Sequence, residues 1–191
     1  MITMKRPLIL ASGSPRRKEI LETMGIPYVV DVSDVVESYS SSPEDMVLEL
    51  SRRKAEAVAG RHQDALVLAA DTLVFCDKVL GKPKDADHAK EMLTKLSGNW
   101  HSVYTGLTLI DTRTGTCICR ADHTRVHFVE MSAEEIDAYV ATKDPLDKAG
   151  AYGIQTMGGM FIDKIEGSYS NVVGLPMALL RCMLMEMNDR I

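Results

Sequence analysis

The sequence predicts a mixed α/β fold, a twisted sheet flanked by helices. Three observations predict it. Strand-length apolar runs alternate with helical patterns through the first half of the chain, two long β-type runs flank a short polar turn in the second half, and glycines and prolines stand where helices should end or begin. Helix following strand implies parallel pairing early in the chain, and the later hairpin adds antiparallel strands. A chain of 191 residues fits a single domain, 1–191, with room for two lobes.

In order, Pro7–Ala11 is a short apolar strand and Ser14–Met24 a helix stopped by Gly25. Tyr28–Val32 is a second strand, and Pro43–Ala59 a long helix closed by Gly60. Ala65–Phe75 is a continuous apolar run of the buried-strand type. Asp85–Leu96 is a third helix, ended by the turn Ser97-Gly98-Asn99. His101–Asp111 and Thr116–Val129 are the hairpin strands around Thr112–Gly115. Ala133–Ala141 is a helix, Ala149–Gly159 a glycine-rich loop, Met160–Ile165 a short strand, and a last helix starts at Pro176. That helix sets Met177, Leu180, Met183, Leu184 and Met187 on one stripe, which is core packing.

Hydrophobic residues make up 46% of the chain and charged residues 26%, the balance of a soluble protein able to bury a core. A net charge of -5 and a pI of about 5.5 argue against a general nucleic-acid or membrane-surface binder. An anionic ligand must therefore meet a locally positive site. Leu8–Ala11 is too short for a signal-peptide core of roughly 7–15 apolar residues. No stretch approaches the ~18 apolar residues of a membrane span, and the longest candidate, Ala65–Cys76, carries Asp71 in its middle. The four cysteines (Cys76, Cys117, Cys119 and Cys182) form no C-x-x-C. Reduced thiols in a cytoplasmic protein fit better than a zinc site.

Helix starts can be compared within this chain. Ser42-Pro43-Glu44-Asp45, Ser132-Ala133-Glu134-Glu135 and Asp85-Ala86-Asp87 all place acids at the positive end of the helix dipole. Ser14-Pro15-Arg16-Arg17-Lys18 begins the same way but continues with three cations. Each should cost from a few tenths to about 1 kcal/mol. A bound polyanion removes the conflict, because the free N–H groups, the arginine forks and the dipole would then all face negative charge. Ala11-Ser12-Gly13 leaves the backbone open to a phosphate. The alternative is a solvated basic helix face.

Polar residues also stand in apolar places. On Pro43–Ala59 the inward stripe is Met46, Val47, Leu50, Ala57 and Val58, with Glu49, Arg52 and Glu56 opposite. Lys54 falls within the stripe, and taken alone it is expected to snorkel to solvent. Asp71 follows Leu66-Val67-Leu68-Ala69-Ala70 and precedes Thr72-Leu73-Val74-Phe75. A carboxylate there is costly unless paired or bound to a metal, so a functional role competes with a structural ion pair or a strand that stops at Ala70. Glu37, the turn Gly81-Lys82-Pro83 and the loop Asp147–Gln155 are individually weak. Together they complete a set of carboxylates and cations suited to metal-assisted phosphoryl chemistry.

Across essentially the whole chain these segments resemble the Maf family of nucleotide pyrophosphatases. The matching stretches are Leu10-Ala11-Ser12-Gly13-Ser14-Pro15-Arg16-Arg17, Lys54-Ala55, Ala69-Ala70-Asp71-Thr72, Gly81-Lys82-Pro83, Tyr104-Thr105-Gly106, the loop from Lys148 to Gln155, and Gly167 through Pro176. The resemblance implies a Maf/inosine-triphosphatase-like fold with two lobes around a central cleft, a divalent cation (Mg²⁺ or Mn²⁺), a homodimer, and Asp71 as proton acceptor. The family's dTTP/UTP subgroup has arginine, threonine and glutamine where this chain has Arg16, Thr72 and Gln155, whereas the subgroup acting on 7-methyl-GTP has tryptophan, glutamine and glutamate.

The expected catalytic set is Asp71, Glu37, Lys54 and Lys82. Substrate-binding residues are expected to be Ser12, Ser14, Arg16, Arg17, Thr72, Lys148 and Gln155, and the metal ligands Glu37 and Asp71. The expected reaction converts dTTP, UTP and modified pyrimidine nucleotides to a monophosphate and pyrophosphate. Competing expectations are a non-catalytic nucleotide-binding regulator of cell division, a nucleotidyltransferase, and a pyrophosphatase of the same fold preferring purines.

Overall fold

The apolar run on either side of Asp71 is one strand, Leu66–Cys76. The computed structural model describes residues 4–35 and 42–190. Its elements are β1 (Leu8–Leu10), α1 (Pro15–Thr23), β2 (Tyr28–Val30), α2 (Pro43–Ala59), β3 (Leu66–Cys76), β4 (Lys78–Leu80), α3 (Ala86–Leu96), β5 (Trp100–Asp111), β6 (Cys117–Phe128), α4 (Ala133–Ala141), β7 (Ile162–Glu166), α5 (Tyr169–Val173) and α6 (Met177–Arg190). The sheet has seven strands in the order β2-β1-β3-β5-β6-β7, with β4 added to β3. It is mixed. β1 runs parallel to β2 and to β3, whereas β4 is antiparallel to β3 and β7 antiparallel to β6. In the β5–β6 turn, Asp111 N–H donates to Thr116 O, and near the open end of the same hairpin Phe128 N–H donates to Asn99 O.

The chain divides into two compact units: Met1–Asp71 with Thr105–Asp122 and Gly174–Ile191, and Thr72–Tyr104 with His123–Val173. In the first unit, Leu8 and Leu10 stand level with Leu66 and Leu68 across the parallel pair, and all four are buried. Ile9, Val67 and Ala69 face the other way and pack with Ala11, Ala55 and Val58. Both faces are covered, so the strand reads as an unbroken apolar run. The α2 stripe consists of Met46, Val47, Leu50, Ser51, Ala55 and Val58. Ala57, expected inside it, is exposed, because the face that packs is centred on the row Val47, Ser51, Lys54 and Val58 at helical spacing. Ser51 is tolerated there because its hydroxyl lies 3.0 Å from that of Thr108 and reaches Leu48 O.

A Cβ on Gly106 would fall 2.2 Å from Val47 O, so no larger residue lets α2 settle against β5. In α6, Leu180, Met183, Leu184 and Met187 are fully buried, whereas Met177, expected on the same stripe, is half-buried.

The second unit is built on α3, α4 and the strand segments it contains. Ala89, Leu93, Leu96, Tyr139 and Phe128 form the centre of its core. Two short elements were not anticipated. β4 follows β3 after Asp77, whose φ of 56° lies in the left-handed region, where aspartate is among the better tolerated side chains. α5 is a five-residue helix pinned by the fully buried Asn171, whose amide donates to Val103 O and Thr124 Oγ1. The expected glycine-rich loop, Ala149–Gly159, is organised into 3-10 turns at Ala149–Ala151 and Met157–Phe161, and a further 3-10 turn, Asp144–Asp147, precedes it. All four cysteines are free. Among the described residues no helix is long and apolar enough to cross a membrane.

Within the second unit, His101 is 3% exposed, its Nε2 lies 2.7 Å from Tyr152 Oη, and its ring meets Phe128 and Tyr152 edge-on. Its buried Nδ1 has no hydrogen-bond partner among the described residues. Burial therefore opposes a second ring proton, and the His101 pKa is pushed down from 6.5 to about 4. The unfolded chain takes up this proton first, so stability is intact above the unfolded pKa and declines as pH falls below it. Urea unfolding at pH 7 and pH 4.5 should show wild type losing about 2 kcal/mol more than His101→Gln over that interval. Parallel losses in the two proteins would remove His101 as the cause.

Candidate active site

The sequence-predicted residues fall in both units. The first holds Ser12, Ser14, Arg16, Arg17, Lys54 and Asp71, and the second holds Thr72, Lys82, Lys148 and Gln155. Glu37 lies outside the described residues.

Helix starts in this chain are capped by side chains, with α1 the exception among those compared. Ser42 accepts from Asp45 N–H, Asp85 from His88 N–H, and Ser132 and Glu135 form a capping box. Ser14 occupies the N-cap position of α1 without any side-chain cap bond, and no acid lies in the first turn. Its own N–H instead donates to Ser12 Oγ at 3.3 Å. Arg17 folds back, its Nη1 donating to Ser12 Oγ at 3.0 Å and its Nε to Gly174 O at 2.9 Å. Arg17 thus braces the loop. Arg16 and Ser14 are half-buried. A helix start without a side-chain cap bond and with a cationic first turn is the electrostatic counterpart of a phosphate.

That loop is set beside β3 by pairing and by small side chains. Ala11 N–H donates to Leu68 O, and Ala11, Ala55 and Ala69 share one cluster. Lys54 precedes Ala55, and Asp71 lies two residues beyond Ala69 on the same face of the strand. Lys54 does not snorkel. Its Nζ donates to Asp71 Oδ1 at 2.5 Å, with the two side chains 13% and 5% exposed. The strand continues through Asp71 to Cys76, so the carboxylate lies inside a buried strand and the ammonium compensates it. Chemically this is an acceptor-only group fixed at one oxygen by a cation, able to orient a water molecule and take its proton.

Among the described residues, no three His, Cys, Asp or Glu converge on a point. A Mg²⁺-type ion, however, is commonly held by one or two carboxylates plus phosphate oxygens instead of an all-protein cage. Asp71 supplies one hard oxygen ligand of that kind. The residues present therefore fit a cation carried largely by a phosphate chain.

In the second unit, Thr72 is half-buried, and Lys82 and Gln155 are exposed. The Lys82 turn and the Lys148 loop are brought together, since Gly150 N–H donates to Gly81 O at 3.1 Å. Gly150 has φ 72° and leaves 3.0 Å between a would-be Cβ and the Val74 side chain, which seats the loop on β3.

Lys148 is buried, at 8% exposure. Its Nζ donates to Asp144 O at 2.6 Å, Asp147 Oδ1 at 2.7 Å and Asp144 Oδ1 at 3.0 Å. Sequence reasoning took Lys148 as a phosphate cation and missed these acids, although Asp144 stands at i−4 and Asp147 at i−1. It also missed Tyr139 and Thr156, whose hydroxyls both donate to Asp144 Oδ2, at 2.8 and 2.6 Å. Burial pushes the Asp144 carboxyl up, but the bonds from Thr156, Lys148 and Tyr139 outweigh it and hold the pKa below its ordinary value. Burial, and then the bond to Asp144, push the Tyr139 hydroxyl up.

Comparison with known proteins places the chain in a family. The family described as Maf-like protein matches residues 7–187. A dTTP/UTP pyrophosphatase of Bacillus cytotoxicus is 52% identical over 178 residues, covering 92% of each chain. The dTTP/UTP pyrophosphatases of Bacillus cereus and Bacillus anthracis are each 51% identical over the same share. Among solved structures, a nucleoside-triphosphatase (dITP/XTP pyrophosphatase) from Mycobacterium abscessus matches with TM-score 0.43 and 15% identity over 66% of this chain and 76% of that one. That likeness is too loose to bear on the site.

Lys54→Met keeps the aliphatic stem and removes the ammonium that faces Asp71 Oδ1. It should lower the unfolding free energy by about 3 kcal/mol or more, as broken buried pairs do. Adding Asp71→Asn should recover most of that loss. Urea unfolding of the single and double variants measures both, and a double variant no more stable than Lys54→Met would refute charge compensation.

Proposed function

The chain belongs to the Maf family, and on that premise we propose that it hydrolyses nucleoside triphosphates, preferentially dTTP and UTP, to the monophosphate and pyrophosphate. Modified pyrimidine nucleotides are substrates of the same kind, and the role is clearance of nucleotide pools. Half-identity over nearly the full length to three dTTP/UTP pyrophosphatases supports the reaction. The observation that carries the mechanism is the Lys54–Asp71 pair, a charged carboxylate kept inside an apolar strand at the cost of burying it.

In this reading Asp71 orients a water molecule and accepts its proton as the water oxygen bonds to the α-phosphorus. The bond from that phosphorus to the bridging oxygen breaks, and pyrophosphate leaves with the electron pair. Lys54 holds the carboxylate in one orientation. Ser12, Ser14 and the N–H groups of the first α1 turn seat phosphoryl oxygens, with Arg17 bracing the loop. Arg16, Lys54 and Lys82 offset the negative charge that shifts onto oxygen as the bond breaks. Lys148 directs its donors at Asp144 and Asp147 and so is spent on fixing the loop that leads to Gln155.

A divalent cation, Mg²⁺ or Mn²⁺, held by the triphosphate with Asp71 and Glu37, supplies Lewis-acid neutralisation of the phosphoryl oxygens when bound. Gln155 selects the base. Its amide sets a donor beside an acceptor, matching the O4 acceptor and N3–H donor of uracil and thymine, whereas an ionised glutamate only accepts. Arg16 and Thr72 are the other two positions at which this chain carries the pyrimidine pattern. The enzyme works as a cytoplasmic homodimer in which residues 1–191 form one catalytic domain.

A panel of triphosphates assayed with Mg²⁺ or Mn²⁺, with the released phosphates identified, tests the reaction directly. Pyrophosphate should leave dTTP and UTP with no acceptor molecule present. Binding without turnover would favour a nucleotide sensor that regulates cell division, and dependence on an acceptor would favour a nucleotidyltransferase. Asp71→Asn should lower kcat by about a thousandfold, the loss of a positioned general base with its preorganised charge, while nucleotide affinity changes little. A near-normal rate would eliminate Asp71 as the base. Gln155→Glu should lower kcat/KM for dTTP and UTP by roughly a hundredfold or more, because an unmatched polar edge is rejected strongly. Gln155 is exposed, so its melting temperature should hardly move; a matching loss of stability would count against base contact.

A further inference from the structure

Asp144 does more than neutralise a lysine. Charge compensation of Lys148 occupies one carboxylate oxygen, Oδ1. The other, Oδ2, accepts two hydroxyl hydrogens, from Tyr139 at 2.8 Å and Thr156 at 2.6 Å. Both lead to the same short segment. The Tyr139 hydroxyl, having donated its hydrogen to Asp144, accepts the Gly153 N–H at 3.3 Å. Thr156 is itself the next residue after Gln155. Gln155 is therefore held between two tethers that end on one carboxylate, one through Tyr139 to Gly153 and one direct.

The segment has no slack. A Cβ on Gly153 would lie 2.5 Å from Thr156 Oγ1, one on Gly158 2.5 Å from the Tyr139 hydroxyl oxygen, and one on Gly159 2.5 Å from Ile154 O. Thr156 N–H closes on Gly153 O, and Gly159 N–H on Thr156 O. Gln155 is exposed, and its backbone is held by this frame. An amide carried on a loose loop would reach a nucleobase edge from many positions, and it would then tell pyrimidines from purines poorly.

We propose that Asp144 is a positioning residue for base selection, fixing the backbone on both sides of Gln155 so that its amide is carried to the nucleobase edge at one position. This rests on the proposed action on pyrimidine triphosphates, and the test separates the two.

In the full-length chain, kcat and KM for dTTP and for GTP are measured in wild type, Asp144→Ala, Asp144→Asn, Gln155→Ala and the double variant Asp144→Ala/Gln155→Ala. Asp144→Ala should reduce the dTTP-over-GTP ratio of kcat/KM by about tenfold, mostly through KM for dTTP, as expected for a misplaced binding group. Asp144→Asn keeps an acceptor oxygen for the two hydroxyls and should keep most of the ratio. In the Gln155→Ala background Asp144→Ala should leave the ratio unchanged, since residues acting through one contact are not additive. An unchanged ratio in folded Asp144→Ala, or an equal drop in both backgrounds, overturns the proposal. Should Asp144→Ala fail to fold, Thr156→Val removes one tether alone and must shift the ratio the same way, or the proposal fails.

Amide hydrogen exchange gives a readout independent of activity. Faster exchange at Gly153 and Thr156 in Asp144→Ala supports positioning, and unchanged exchange overturns it. A wild-type chain that hydrolyses no triphosphate would instead sink the functional reading, with the exchange result still deciding for Asp144.

Discussion

A charge placed inside an apolar strand must be answered from nearby, and in the first unit that requirement is met by Lys54 for Asp71. The rest of the unit's local design follows. For a lysine on α2 to reach a strand carboxylate at 2.5 Å, helix and sheet must approach closely. The residues packed there are accordingly small: Ala11, Ala55 and Ala69 in one cluster, and Gly106 against the helix backbone. Larger side chains would bury more apolar surface, at about 25 cal/mol per Å². An ion pair replaceable by hydrophobic residues at little or no cost in stability is hard to explain as a device for folding. Its position makes sense as a site maintained at some expense to the core.

The first turn of α1 shows the same trade in another form. Among the helix starts compared, α1 lacks both a side-chain cap and an acidic first turn. The Ser12 and Arg17 side chains that could have served the helix end are used to shape the preceding loop. A helix start left without a side-chain cap costs little while water reaches it, and its dipole favours an anion that displaces that water. The acidic chain as a whole gains a local positive site without a global basic surface.

How much of this was legible in the sequence varies with the range of the forces involved. α2 and α4 begin and end where their prolines, serines, acids and glycine place them, because capping is local. The Ala65–Phe75 run was legible as a buried strand for a similar reason, being covered on both faces. β4 and α5 were not legible, since three and five residues carry too little periodicity to register, and both are held by distant partners: Val74 to Cys76 for one, Val103 and Thr124 for the other. Lys54 marks the boundary. Its misfit with the α2 stripe was visible, but its partner lies seventeen residues away, and nothing along the chain favours an ion pair over snorkelling. Lys148 went the other way. Its acids, Asp144 and Asp147, lie within four residues, but a lysine in a glycine-rich loop presents the same local pattern whether it pairs with them or faces an anion.

The two chemical tasks assigned to the chain make different demands on the backbone. Proton abstraction needs a carboxylate whose direction does not wander, and a central strand in a sheet closed on both faces supplies it. Base selection needs an exposed amide that a nucleobase can reach, which a buried strand cannot present. The second unit meets that need with a turn of glycines, where exposure would ordinarily bring mobility. A carboxylate with both oxygens engaged, a buried tyrosine and Lys148 remove that mobility without covering Gln155. Specificity for an edge as small as O4 and N3–H would depend on such stiffness, because an amide on a wandering backbone meets that edge from many positions. On the proposed reading, exposure would give Gln155 access to a nucleobase, and the hydrogen-bonded frame beneath it would turn that access into discrimination.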